Sequence, residues 1–182
     1  MLDQKKAEGF SDAVLTDDFS GGKIAGEHLQ QLGHKKVAVV LPEDATENIK
    51  TRLTGFKEIY PDAVQVYGEL SKIGGRQAAK AIVETEVTGI FAINDEIAFG
   101  LYLGLAELKK KIPQDYSVIG YDNIDMSEYV TPQLTTIAQP IYELGQTTAE
   151  LLLERIEQPS KDWEEKTLPV QLIQRFSTAH LK

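Results

Sequence analysis

Lys36-Val37-Ala38-Val39-Val40-Leu41, stopped by Pro42-Glu43-Asp44, decides the fold class of this chain. A run that is apolar at successive positions belongs to a strand buried on both faces, and such strands occur in parallel sheets covered by helices. The pattern recurs in both directions. Ahead of it, Ala13-Val14-Leu15-Thr16 reads as a short strand closed by Asp17-Asp18. A helix follows over Ser20–Leu32, with Ile24, His28, Leu29 and Leu32 at helical spacing and Gly33 as a left-handed stop. Behind it, a helix is expected over Ile49–Tyr60, ending before Pro61. The cycle then repeats: strand Val64–Tyr67, helix Lys72–Glu84, strand Gly89–Ile93, helix Glu96–Lys109, and strand Tyr116–Tyr121 before a turn at Asp122-Asn123. Strands alternating with helices predict an α/β fold, a parallel sheet with helices on both faces in three α/β/α layers. Toward the carboxyl end, Leu134-Thr135-Thr136-Ile137 leads through Pro140, well placed as a first helical residue, into a helix over Ile141–Glu157. Leu168–Phe176 reads as a final strand.

Composition narrows the function classes. Of 182 residues, 42% are hydrophobic and 26% charged, which suits a packed globular core. No apolar run approaches the roughly 18 residues that span a membrane, and the first residues carry no secretory h-region. Cysteine is absent, so disulfides and thiolate metal sites are excluded and a reducing cytoplasm is the expected location. A net charge of −9 opposes phosphate binding. Contact with DNA is therefore not expected from this part of a protein.

In an open parallel sheet, ligands bind beyond the carboxyl ends of the strands. The residues there are Asp17 and Asp18, Pro42 and Glu43, Gly68 and Glu69, Asn94 and Asp95, and Asp122 and Asn123. Carboxylates and amides dominate, as a site for a neutral polyol requires. A phosphate or dinucleotide would want a glycine-rich turn and clustered bases; Ser20-Gly21-Gly22-Lys23 lacks the Lys-Ser/Thr pair of a phosphate loop. Plainer roles stand beside these: Asp18, Ser20, Asn94 and Asp95 can serve as helix N-caps, and Asp122-Asn123 as a turn. His28, His34 and His180 have no metal-ligand spacing. No metal, cofactor or catalytic residue is expected.

Several segments resemble one family, in order along the chain: Gly33-His34-Lys35-Lys36-Val37-Ala38, Arg52-Leu53-Thr54-Gly55-Phe56, Asn94-Asp95-Glu96-Ile97-Ala98-Phe99-Gly100, Ile112-Pro113 through Asp122-Asn123, Pro132-Gln133-Leu134-Thr135-Thr136-Ile137, and Leu168-Pro169 through Ser177-Thr178. Together they are similar to the effector domain of LacI/GalR transcription repressors, related in fold to type I periplasmic sugar-binding proteins. The resemblance implies that residues 18–136 and 166–182 form a C-terminal effector-binding subdomain. Residues 1–17 would be the remnant of an N-terminal subdomain with its first crossover, and 138–160 a helix of that same lobe. The helix-turn-helix that binds operator DNA would lie outside this stretch. An orphan helix of that kind leaves a stripe of Ile141, Leu144, Thr148, Leu151 or Leu152, and Ile156 in need of cover.

By the same resemblance, a small effector lies between two lobes and is gripped by Arg52, Asn94, Asp122 and Gln139, with Asp95 and Phe19 as secondary candidates. Arg52 would offer a rigid fork of donors, Asn94 its amide, Asp95 a helix cap, Asp122 a bidentate acceptor, and Phe19 a stacking face. Arg52 could instead be a surface residue paired with Glu58. Ribose is the first expectation for the effector, then hexoses, disaccharides and purines, with homodimerisation partly through Ile97–Leu108 and no membrane partner. Two other readings remain open: a solute-binding protein for transport, and a nucleotide-using α/β enzyme. The second lacks a glycine fingerprint and any nucleophile–base arrangement.

Overall fold

The computed structural model describes residues 11–181, so the first ten residues of the expected 1–17 remnant lie outside it. Eight strands and five helices follow one another as β1 (Ala13–Thr16), α1 (Asp18–Gln31), β2 (Val37–Leu41), α2 (Glu47–Ile59), β3 (Val64–Tyr67), α3 (Lys72–Val83), β4 (Gly89–Ala92), α4 (Asp95–Glu107), β5 (Ser117–Asp122), β6 (Thr135–Ala138), α5 (Ile141–Glu157), β7 (Glu165–Leu168) and β8 (Gln171–Ile173); a 3-10 turn, Asp125–Glu128, precedes β6. Six strands form one sheet in the order β3-β2-β4-β5-β6-β8, parallel except for the antiparallel edge strand β8. The strand order reverses between β2 and β4. Right-handed crossovers in opposite directions from that point put α2 on one face and α3 and α4 on the other; α1 packs on α2 and α3 on α4.

Every side chain of β2 and β4 is buried, as the continuous apolar runs require. Phe56 of α2 stacks on Phe91 of β4 with ring centroids 5.0 Å apart. The two helices of the α1–α2 pair nearly touch: a Cβ on Gly22 would lie 1.8 Å from the Arg52 carbonyl oxygen, and one on Gly55 1.9 Å from that of Phe19. Backbone cannot yield as a flexible side chain can, so Gly55→Ala is expected to cost about 1–3 kcal/mol, as other overpacked contacts do. In thermal unfolding that is roughly 2–4 °C for each kcal/mol at this size. An unchanged midpoint would show that the helices can part freely.

Two expectations need correction. Leu168–Phe176 is not one strand: β7 ends at Leu168 and β8 begins at Gln171, and they lie in different sheets. Proline at 169 has no N–H for a ladder and a fixed φ, so the chain crosses over there. β7 pairs in parallel with β1 as a separate two-stranded sheet, which takes residues 166–168 away from the larger sheet. Second, Leu134–Ile137 is more than a lead into a helix, since Thr135–Ala138 is strand β6, paired in parallel with β5.

α5 packs on β1, where Leu144 and Leu151 meet Val14 and Leu168 in a small cluster apart from the main core. The rest of its apolar stripe is open, with Ile141 at 61%, Leu152 at 59% and Ile156 at 66% exposure. At its far end Arg155 lies over the Trp163 ring and forms a double hydrogen bond with Asp12. That contact holds the Asp12 carboxyl down at about 2. No helix among the described residues is long and apolar enough to cross a membrane.

Candidate functional site

β1 ends at Thr16, and Asp17 caps α1 by accepting a hydrogen bond from the Ser20 N–H at 2.9 Å. That frees Asp18, the first residue of the helix, from the capping role. Its carboxylate turns inward, and Oδ1 accepts from Arg52 Nε at 2.6 Å and from the Tyr121 hydroxyl at 3.0 Å. Arg52 is brought there by the close α1–α2 crossing. It is 7% exposed, so it is no surface residue, and Glu58 pairs with Lys23 instead. Its guanidinium lies 3.7 Å from the centroid of the Tyr121 ring, donates to the Ile93 carbonyl at 3.2 Å, and stands 3.7 Å from Asp122 Oδ1. Burial works against the charge of Arg52, but Asp18, Tyr121 and Asp122 outweigh it and raise its pKa.

Asp122 closes β5 at φ 111°, and Asn123 follows at φ 55°. Side chains rarely adopt this left-handed region; two successive residues there store on the order of 1–3 kcal/mol each, and such strain clusters at ligand sites. Asp122 Oδ1 also accepts from Gln139 Nε2 at 2.7 Å, while Gln139 Oε1 accepts from the Thr16 hydroxyl at 3.2 Å. The relay joins the ends of β1, β5 and β6. Burial pushes the Asp122 carboxyl up to about 6, against the pull of Arg52 and Gln139 and with the push of Asp95 and Asp18.

Asn94, not Asp95, caps α4: its Oδ1 accepts from the Ile97 N–H at 2.9 Å. Its amide group still edges a hollow of about 250 Å³ formed with Thr46, Asn48, Ile49, Arg52, Leu70 and Asp122. The hollow sits beyond the carboxyl ends of the strands, at the reversal of strand order. Arg52, Asn94 and Asp122 thus share one cavity, and Gln139 reaches it through Asp122. Two candidates stand elsewhere. Asp95 is fully buried beneath the turn, bonded to Thr136, Ser127 and Ile124. Phe19, half-buried on the first turn of α1, does not line the hollow. Asp18, Tyr121, Thr16, Thr46, Asn48 and Leu70 complete the surroundings. Of these, only Asp18 carried a sequence signal, its place at a strand tip.

The histidines serve the C-terminal tail. His34 bonds Thr88, Ser117 and the Ala179 carbonyl, and His28 bonds Thr178. Burial lowers the pKa of both. Among the described residues no cluster of His, Asp or Glu could hold a metal ion.

The known proteins that this chain resembles agree with one another. The family model described as a periplasmic binding protein-like domain matches residues 27–178. The ribose operon repressor of Escherichia coli K12 is 33% identical over an alignment that covers 97% of this chain and 56% of that protein. The chain thus spans little more than half the length of the curated relatives it matches. A crystal structure of a LacI family transcriptional regulator from Enterococcus faecalis V583 with bound ribose superposes with a TM-score of 0.97 at 68% identity, covering 100% of this chain and 68% of that one. The corresponding regulator from Enterococcus faecium, also with bound ribose, gives 0.95 at 57% identity over 100% and 70%. With a family model across most of its length and close relatives of one kind, the chain belongs to the LacI family of transcriptional regulators, of which it carries the periplasmic-binding-protein-like domain.

Proposed function

We propose that this chain is the effector-sensing part of a sugar-responsive transcription repressor, and that its effector is ribose. The observation that carries the reading is the convergence of Arg52, Asn94 and Asp122 on one polar hollow, with Gln139 2.7 Å from Asp122. A fork of donors, an amide and a carboxylate suit a neutral molecule bearing several hydroxyls. The ribose bound by the two enterococcal relatives has that chemistry.

In this reading β1, β7 and α5 belong to a second lobe that faces the hollow, and its exposed stripe of Ile141, Leu152 and Ile156 packs inside that lobe. Regulation is a population shift: ribose favours one angle between the lobes, and only its differential affinity for the two arrangements can change DNA affinity. Operator contact falls to a segment outside this chain, the regulator is cytoplasmic, and it acts as a homodimer. From the expected Ile97–Leu108 contact, Leu103 and Leu108 are the large apolar side chains open to a partner; Ile97, Phe99, Leu101 and Leu105 are buried.

The test is thermal unfolding of the full-length regulator with ribose, a hexose, a disaccharide and a purine base in parallel. At a hundredfold excess over Kd a true effector adds about 2.7 kcal/mol, which moves the midpoint by roughly 2–4 °C for each kcal/mol. A midpoint that ribose leaves in place while another compound raises it would reassign the effector. A flat response to all of them would overturn the sensor reading.

A further inference from the structure

We propose that Asp95 is a positioning residue for the effector site: its buried carboxylate holds the left-handed Asp122–Asn123 turn in the conformation that presents Asp122 to the hollow. The inference rests on the sensor reading above for its binding consequences, and on geometry alone for the turn.

Asp95 is the first residue of α4 and is fully buried. Helix N-termini favour an anion, and this one is already capped by Asn94. The Asp95 carboxylate reaches across to three other segments. Oδ1 accepts from the Thr136 hydroxyl of β6 at 2.6 Å. Oδ2 accepts from the Ser127 hydroxyl of the 3-10 turn at 2.7 Å and from the Ile124 N–H at 3.0 Å. The Asn123 N–H also faces this carboxylate and favours its charge. The backbone of both residues that follow Asp122 therefore faces Asp95, and that of Ile124 is hydrogen-bonded to it. β5 makes room for this: a Cβ on Gly120 would lie 2.1 Å from Asp95 Oδ1.

A carboxylate suits the position because it only accepts. Hydroxyls can rotate to give or take a proton, whereas backbone N–H groups can only donate. Asparagine at 95 would turn an NH2 toward one set of donors and leave a buried N–H without a partner, which native structures avoid. The turn at φ 111° and φ 55° needs such external hold, since nothing in its own local preference keeps Asp122 there. Asp95 also acts on Asp122 through space. The charged and titratable groups around Asp122 are Arg52 from α2, Asp18 from α1, Asp95 from α4 and the neighbouring Tyr121 of β5, which burial keeps neutral, and the charge of Asp95 favours protonation of Asp122. Tyr102 lies two helical turns along α4 from Asp95 and is kept neutral by burial.

The experiment compares the full-length wild type with Asp95→Asn. Hydrogen–deuterium exchange without sugar is expected to rise about tenfold or more at Asn123 and Ile124, with exchange in the middle of α4 unchanged; a factor of ten in an opening equilibrium is about 1.4 kcal/mol. Ribose Kd, read by calorimetry, is expected to rise by about tenfold or more. The acid limb of ribose binding should shift to lower pH, because the negative charge that favours protonation of Asp122 is gone. A purely structural role would lower the melting temperature and leave all three readouts where they were; that result overturns the proposal. Should Asp95→Asn not fold, Ser127→Ala makes the same separation. It leaves the carboxylate in place and removes one bond that aims it at Ile124. Exchange at Asn123 and Ile124 then rises together with ribose Kd by about threefold or more, or the proposal is wrong. If the wild type does not bind ribose, the sensor reading fails, while the sugar-free exchange measurement still decides what Asp95 does to the turn.

Discussion

Arg52→Ala is expected to lower the unfolding free energy by about 3–5 kcal/mol, the range for removing one partner of a buried ion pair. The argument is electrostatic rather than volumetric. Arg52 and Asp18 are 7% and 6% exposed and 2.6 Å apart, and Asp122 stands 3.7 Å from the same guanidinium. Without the cation, two carboxylates share a partly dry pocket that was built around a positive charge, with the Tyr121 hydroxyl still donating to Asp18. The Tyr121 ring also loses the cation over its face. Arg52→Met, which keeps most of the stem, should recover little because both buried carboxylates still lack the guanidinium. Adding Asp18→Asn to Arg52→Met should recover much of the loss, since neutral groups replace both ends of the pair. Denaturant unfolding monitored by circular dichroism reads all three. If Arg52→Ala costs less than about 1 kcal/mol, the pair behaves as an exposed one and its place at the centre of the site is wrong.

The extent to which such a site can be read from residues alone follows from the range of the interactions involved. β2 and β4 announce themselves because burial on both faces leaves no polar side chain in them, a local signal, and β5 does so through Val118-Ile119 between its polar ends. β6 does not. Its buried Thr135 and Thr136 find partners far along the chain, the Arg175 N–H for one and Asp95 for the other, and polar residues in sequence look like surface until those partners are known. Pro169 breaks the apolar pattern of Leu168–Phe176, and the two halves lie in separate sheets. In the site, Arg52, Asn94 and Asp122 were accessible through the strand-tip rule and the family resemblance. The Asp18–Arg52 pair was not, because it depends on the glycine-enabled approach of α1 and α2, which has no local trace. At one tip the cap is Asp17 where Asp18 was expected, and at the other it is Asn94, one of the two expected candidates, and not Asp95. At each, the displaced carboxylate is the one that turns inward.

Asp122→Asn is expected to separate binding from stability. Asparagine tolerates left-handed backbone as aspartate does, so the turn at φ 111° survives, and what changes is the charge. Hydrogen bonds to a charged acceptor are worth roughly 1.5–3 kcal/mol each, so ribose Kd should rise about 10- to 150-fold; Asp122→Ala should do at least as much. Stability should move the other way. The folded carboxyl titrates at about 6 and the free one at 3.8. Between those values the folded state holds the proton that the unfolded state has released, so stability falls as pH rises through the window and stays at the lower level above it. The neutral amide removes that penalty, and the variant should unfold at the same temperature as the wild type or higher at neutral pH. The same titration sets the pH dependence of binding. Sugar hydroxyls donate to the ionised form, so wild-type affinity should be level above about pH 6 and weaken as pH drops below it, while Asp122→Asn stays flat across the same span. Calorimetry at about pH 5 and about pH 7.5 on both proteins reads the difference. A wild-type Kd that does not change between those conditions, or an Asp122→Asn Kd within about threefold of wild type at neutral pH, would place the Asp122 carboxylate outside the grip on the sugar.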